Sequence, residues 1–242
     1  MRWWLVRELA GGDRRVRELV TATGQPQNLV SYHLRQLRES GLVRARRSSF
    51  DARHMYYSLD LSGCSRALAD AASALHPALV LVPGSPVAGA AADPGTAVRR
   101  ERRAVLFVCT GNSSRSPMAE ALLRYRAAGQ VRAASAGIRP KPVHPDAVAV
   151  MRDRYRIDIS RHRPAQAGAA GAQPFDYVVS LCDKAREALP EFAGRPARIH
   201  WSLPDPAAGE DGLAGHVAFE RTADELDSRI RFLLPVLAAA TA

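Results

Sequence analysis

The chain has 242 residues with 47% hydrophobic and 24% charged side chains, enough to bury a core and suited to one large or two small globular domains. Thirty-four basic residues against 24 acidic ones leave a formal net charge of +10, which favours acidic partners such as DNA or oxyanions. No apolar run approaches the roughly 18 residues of a membrane span and no leading signal peptide is visible; three cysteines provide no disulfide framework, so a reducing cytoplasm is the expected setting.

Residues 2–10 read as an apolar-faced helix ending at Gly11-Gly12. A short second helix follows from Val16 to about Thr21, with Val16, Leu19 and Val20 inward. Ala22-Thr23-Gly24-Gln25 makes a turn, and Pro26 suits the first turn of a third helix reaching about Ser40. On that helix Val30, Leu34 and Leu37 share one face at i, i+4 and i+7. The rest of its surface carries Gln27, Asn28, Ser31, Tyr32, Arg35 and Arg38, which can bond bases or phosphates. Gly41 caps the helix. Residues 42–47 and 54–59 alternate as two strands around a polar turn, a hairpin that carries Arg44, Arg46 and Arg47; a last helix is read over 62–75.

A helix–turn–helix followed by a basic β-wing is a winged helix. Residues 1–60 hold eleven Arg against six acids. The wing arginines are therefore expected on the phosphates of a double-stranded DNA operator, with helix 27–38 in the major groove. The competing reading is a merely solvated polar face, which the coincidence of wing and recognition position disfavours.

The run Asn28 to Val43 resembles the ArsR/SmtB repressor family, and the resemblance spans residues 2–75. Two departures matter. The chain begins inside what looks like the family's second helix, so either the start is misassigned or dimerisation relies on helix 62–75 and the second domain. Arsenite-binding members carry paired cysteines at the start of the helix matching 16–21, where this chain has Val16-Arg17-Glu18-Leu19-Val20, so no soft-metal site can be built there. Cys64 is the only thiol of this region and reads as a small core residue. His33, His54 and His76 lack ligand spacing, and no metal is expected.

Residues 76–103 shift to Pro, Gly and Ala and end in a basic cluster, the composition of an interdomain linker. The expected organisation is a winged helix–turn–helix domain over 1–75, the linker, and a second domain over 104–242. In that second domain, strands at 104–109, 131–135, 176–182 and 197–201 alternate with helices at 117–128, 145–154, 184–189 and 218–238. This is the pattern of a doubly wound α/β domain with a parallel sheet, whose ligands bind beyond the carboxyl ends of the strands.

The run from Val105 to Glu120 reads as a buried strand, a small-residue loop bracketed by Cys109 and Arg115, and the first turn of a helix. Backbone N–H groups of Thr110, Gly111, Asn112, Ser113, Ser114 and Ser116 converge on one point and favour negative charge there. That environment suits a thiolate nucleophile on Cys109, and the Arg115 fork matches two oxygens of a tetrahedral oxyanion.

This segment resembles the Cys-x5-Arg phosphate loop of the low-molecular-weight tyrosine phosphatase superfamily, which includes one class of arsenate reductases. Ser135-Ala136-Gly137, Val143-His144-Pro145, Ile157 to Arg163, Asp176 to Val179 and Trp201 to Pro206 follow in the family's order, so about residues 103–240 are covered. The resemblance implies that Cys109 attacks the oxyanion and that Arg115 and the loop amides stabilise its charge. Asn112 would shape the loop, and Ser116 would donate to the thiolate. It further implies that Asp205 is the general acid. Val179 to Ala185 resembles the reductase branch, in which Cys182 is the resolving thiol. Ala207-Ala208 stands where the phosphatases carry an aromatic pair, which also favours arsenate over phosphotyrosine. The third thiol of thioredoxin-linked reductases is replaced by Leu189, so the expected external reductant is either thioredoxin acting on a Cys109–Cys182 disulfide or a mycothiol/mycoredoxin system.

The expected protein is thus a cytoplasmic homodimer that fuses a DNA-binding regulator to a thiol-dependent arsenate reductase with no bound cofactor. Its alternatives are a tyrosine phosphatase tethered to a DNA-binding domain and a non-catalytic oxyanion-sensing repressor.

Overall fold

A computed structural model describes residues 1–76, 102–208 and 215–239. Its N-terminal part runs α1 (Arg2–Ala10), β1 (Arg14–Arg15), α2 (Val16–Thr23), α3 (Gln27–Glu39), β2 (Val43–Arg47), β3 (Met55–Leu59) and α4 (Leu61–Leu75). Leu5, Leu9, Leu19, Val30, Leu34, Leu37 and Val43 form its core, so the apolar stripe of α3 packs on α1 and α2 and leaves the polar remainder outward. The wing strands pair antiparallel, Val43 opposite Leu59 and Arg47 opposite Met55, and β1 adds to the far edge of β3. Arg14-Arg15 is the one strand here without a sequence signal, because two residues hold no periodicity.

The second part contains β4 (Ala104–Cys109), α5 (Arg115–Ala127), β5 (Arg132–Gly137), α6 (Pro145–Tyr155), α7 (Ala167–Ala170), β6 (Tyr177–Ser180), α8 (Asp183–Glu187), β7 (Ala197–His200) and α9 (His216–Ala239). Its four parallel strands lie in the order β5-β4-β6-β7. The connection from β4 goes to one side and the later ones to the other, so the topological switch point lies between β4 and β6. All six residues of β4 are buried, as a central parallel strand covered on both faces requires. Phe107, Met118, Leu122, Leu123, Met151, Phe219 and Leu226 are among the fully buried side chains of this separate core.

Most elements start and stop within two residues of expectation. Strand β5 runs to Gly137 because Gly137 pairs with Cys109 at the end of β4. Strand β6 stops at Ser180, and Cys182 becomes the residue that opens α8. The single turn α7 lies in an Ala/Gly-rich stretch that gives no signal. Residues 77–101, most of the stretch read as a linker, lie outside the described residues.

The two cores meet across a polar seam. The turn at Gly11–Asp13 lies against β7, the edge strand of the parallel sheet, and the Asp13 N–H donates to the His200 carbonyl at 2.7 Å. Gly12 is required there: its φ is +134°, and a Cβ would sit 3.1 Å from the His200 nitrogen. Tyr56 of β3 is buried against the His200 ring at 4.8 Å between centroids, with the Arg15 and Arg186 guanidinium groups over its faces. Arg186 pairs with Glu18, and Arg15 lies 2.9 Å from Glu187.

Candidate active site

The loop from Thr110 to Ser114 leaves the end of β4 at the switch point and enters α5. Its carbonyls are bonded outward: Ile138, Arg139, Lys141 and His144 N–H groups donate to the carbonyls of Cys109, Thr110, Gly111 and Ser113 at 3.2, 2.8, 2.8 and 2.8 Å. In a trans peptide the next N–H points opposite to its carbonyl, and no cis bond occurs among the described residues. The amides of Thr110, Gly111, Asn112 and Ser114 are thereby turned to the side opposite those partners. The Asn112 N–H donates to Cys109 Sγ at 3.2 Å, and the Ser116 hydroxyl lies 3.0 Å from it.

Asn112 sets the loop. It has φ +48°, a left-handed conformation that asparagine tolerates better than most residues. Its amide nitrogen donates to Ser116 Oγ at 2.9 Å and Ser135 Oγ at 2.8 Å, while its oxygen accepts from Ala165 N–H at 2.8 Å and faces His162 Nε2 at 3.2 Å. Ser135 donates onward to Glu120 at 2.6 Å. Burial pushes the His162 imidazole down, Glu120 pushes it up and Arg124 pushes it down again, with a net downward shift. Gly137 lets this network close, since a Cβ there would meet the Asn112 nitrogen at 2.8 Å.

Arg115 is buried at the first position of α5, and its two terminal nitrogens donate to the Leu203 carbonyl at 3.0 Å and to Asp205 Oδ2 at 2.8 Å. Asp205 is half-buried on the loop after β7, and Ala207 and Ala208 beside it are exposed. Cys182 is buried past the end of β6, its sulfur 3.3 Å from the Thr110 hydroxyl, and both it and Cys109 are free thiols. Burial pushes the Cys182 thiol up; the Arg115 charge lowers it and the neighbouring Cys109 raises it further. Leu189, at the position of the missing third thiol, packs partly buried on the core. Cys109, Arg115, Asp205 and Cys182 are thus gathered at the carboxyl ends of β4, β6 and β7. A cleft of about 750 Å³ lined by Lys141, Val143, Arg152 and His162 lies apart from them.

Of the residues expected at DNA, Gln27, Asn28, Ser31, Tyr32, Arg35 and Arg38 are all exposed on α3, and Arg47 is exposed on the wing. The other two wing arginines are placed differently from expectation. Arg46 turns into the seam, donating to Asp183 Oδ2 and to the Ser202 carbonyl, each at 2.9 Å. Arg44 bonds Asp60 at 2.7 Å and reaches Glu225 of α9 at 3.3 Å. The buried Asp183 carboxylate explains the first change, because a desolvated charge needs a partner. Burial pushes its carboxyl up, but hydrogen bonds from His200 and Ser202 and the Arg46 charge more than offset this and hold it well below the usual range. The parts that Asp13, Asp183, His200, Ser202 and Arg229 play in the seam had no sequence signal, since those parts arise only where two cores meet, although Asp183 and Ser202 lie in runs that carry the resemblance. Among the described residues no group of three or more His, Cys, Asp or Glu is arranged to hold a metal, and no helix is long and apolar enough to cross a membrane.

Comparison with known proteins follows the same division. A family model described as low molecular weight phosphotyrosine protein phosphatase matches residues 104–241, and one described as bacterial regulatory protein, arsR family, matches residues 2–45. An arsenate reductase of Halalkalibacterium halodurans is 35% identical over 131 residues, 54% of this chain and 94% of that protein. Arsenate reductase 1 of Bacillus cereus is 33% identical over 130 residues, 54% of this chain and 92% of its own length. The solved structure of YfkJ from Bacillus subtilis matches with a TM-score of 0.50 and 26% identity, over 59% of this chain and 98% of that one.

Proposed function

This chain belongs, through residues 104–241, to the low molecular weight phosphotyrosine protein phosphatase family, and from that membership we propose that it is an arsenate reductase fused to an operator-binding winged helix. The observation that carries the reading is the pairing of two buried free thiols, Cys109 in the oxyanion loop and Cys182 beside Thr110, at one switch point.

In this mechanism the Cys109 thiolate attacks arsenate, an As–S bond forms, and one arsenate oxygen leaves as water with a proton from Asp205. Arg115 and the loop amides hold the remaining oxygens as charge shifts between them. The Cys182 thiolate then attacks Cys109 Sγ. The S–S bond forms as the S–As bond breaks, its electron pair stays on arsenic, and arsenite departs. Arsenic gains two electrons and the two thiols lose them, so an external thiol must restore the pair. Thioredoxin can do so at a Cys109–Cys182 disulfide. Alternatively, mycothiol attacks the arsenic adduct and mycoredoxin resolves the product.

The N-terminal unit would place α3 in the major groove of duplex DNA, with Arg47 and Arg38 on phosphates. A homodimer is the natural form of such a reader. Helix α4 buries none of its residues, and Leu68, Leu75 and Trp3 are 61%, 80% and 77% exposed. Cytoplasmic residence follows from operator binding and free thiols.

A second reading, a phosphatase whose phospho-cysteine is hydrolysed by water, draws support from Leu189, which removes the third relay thiol. Production of arsenite from arsenate by the purified chain, with thioredoxin and mycothiol/mycoredoxin systems in parallel, tests the first against the second.

A further inference from the structure

Ser202 stands one residue before Leu203 and three before Asp205, and every polar group it has is engaged across the seam. Its N–H donates to Asp13 Oδ2 at 2.7 Å, and its carbonyl accepts from Arg46 Nε at 2.9 Å. Its hydroxyl accepts from the Arg46 terminal nitrogen and donates to Asp183 Oδ1 at 2.6 Å. Asp13 is held in turn by Arg229 at 2.9 Å, and Asp13, Asp183, His200 and Ser202 are all buried. Immediately beyond this clamp, Leu203 and Asp205 take the two Arg115 nitrogens.

We infer that Asp13 and Arg46, both from the winged-helix part, are positioning residues for the Asp205 loop, so that chemistry at Cys109 depends on a support supplied by the DNA-binding unit. The physical reason is distance. Proton transfer demands hydrogen-bond reach between acid and leaving oxygen, and a misplacement near 1 Å costs about 100-fold. Three peptide bonds separate Ser202 from Asp205, and the middle one leads into Pro204, whose ring fixes φ, which leaves little slack for the carboxylate. A seam serving only to join two domains would place its bonds on any convenient surface. Here three of them, from Asp13 and Arg46, fall on the single residue Ser202 at the base of the loop that carries the acid.

The inference rests on the reading of Asp205 as general acid. Its test therefore uses substrates that differ only in their need for that acid. When Cys109 attacks an aryl phosphate, the S–P bond forms and the P–O bond breaks. Phenolate must take a proton as it leaves, whereas 2,4-dinitrophenolate leaves without one. The full-length chain and its Arg46→Ala, Arg46→Lys, Asp13→Asn and Asp205→Asn variants would be assayed on both esters, with inorganic phosphate as competitive inhibitor and thermal melting as the check on folding. Arg53→Ala, at an exposed arginine paired with Asp51, is the control.

The expected result is a fall of about tenfold or more in kcat/KM for phenyl phosphate in Arg46→Ala and Asp13→Asn, with less than about a threefold change for the dinitrophenyl ester; kcat/KM reports loss of the aryl group and not the later hydrolysis of the phospho-cysteine common to both. Inhibition by phosphate is expected to be unchanged. Arg46→Lys keeps a charge without the planar fork and should fall between, which also serves if the alanine variant does not fold. Equal losses on the two esters, or wild-type behaviour in Arg46→Ala and Arg46→Lys, would overturn the inference while leaving the proposed function intact. A wild-type chain on which Asp205→Asn shows no leaving-group dependence would instead remove the acid assignment, and the inference with it.

Discussion

Arg46 of the wing lies 2.9 Å from the carboxylate of Asp183, the residue that follows Cys182, and Asp183 has only 1% of its side chain exposed. A side chain of the type expected to touch DNA is therefore committed to a buried acid beside the proposed resolving thiol.

That commitment has a stability consequence. Removing one member of a buried pair leaves the other uncompensated, so Asp183→Asn should lower unfolding free energy at pH 7 by about 3 kcal/mol. The sign of its pH dependence follows from the depressed carboxyl. The contribution is complete above the unfolded value of about 4 and is lost as pH falls from there toward the folded value. Denaturant titrations at pH 7 and pH 3 should show the gap between wild type and Asp183→Asn narrowing at the lower pH. A constant gap would mean that the ionised carboxylate is not what stabilises the seam.

The seam should also be sensitive to backbone. At Gly12, φ +134° strains any side chain, and a Cβ 3.1 Å from the His200 nitrogen is tight enough that β7 would have to give way. Gly12→Ala is expected to separate the two units, seen as cleavage between them at protease concentrations that leave wild type whole. Unchanged resistance would show that the Gly11–Asp13 turn can move off β7 at no cost.

DNA binding offers a direct contrast among the wing arginines. Each phosphate contact adds about 0.9 to the slope of log K against log salt. Arg47→Ala and Arg38→Ala should each reduce the slope by about one, and Arg46→Ala, whose guanidinium faces Asp183, should leave it unchanged. A reduced slope for Arg46→Ala would mean that this arginine leaves the seam when DNA binds.

The two thiols should separate two chemistries. With thioredoxin as the reductant, Cys182→Ser is expected to stop arsenate turnover while preserving hydrolysis of aryl phosphates, because on that route only the reductive step needs a second sulfur from the chain. Because burial pushes the Cys182 thiol up, arsenate turnover limited by its attack should rise between pH 7 and pH 9. A flat profile would place the limiting step elsewhere.

Much of this molecule was legible in its sequence because the relevant patterns are local. The Cys109–Arg115 loop sits between an all-buried strand and a helix start, and the stripe Val30, Leu34 and Leu37 orients α3. Those patterns place the Cys109–Arg115 loop and the exposed face of α3 without any long-range information. The Asn112–Ser135–His162 network could be suspected only from order along the chain, since its members are brought together by β5 ending at Gly137. The seam was invisible. Asp13, Arg46 and Ser202 are ordinary turn, wing and loop residues until β7 presents its edge to the Gly11–Asp13 turn, so their bonds depend on docking that no periodicity encodes.

The central claim is that Cys109 and Cys182 together reduce arsenate. The most direct measurement is arsenite formed from arsenate by the full-length chain, supplied in parallel with thioredoxin and with mycothiol/mycoredoxin. The account predicts sustained arsenite production with at least one system and none in Cys109→Ser. A folded wild-type protein that forms no arsenite with either system would contradict it.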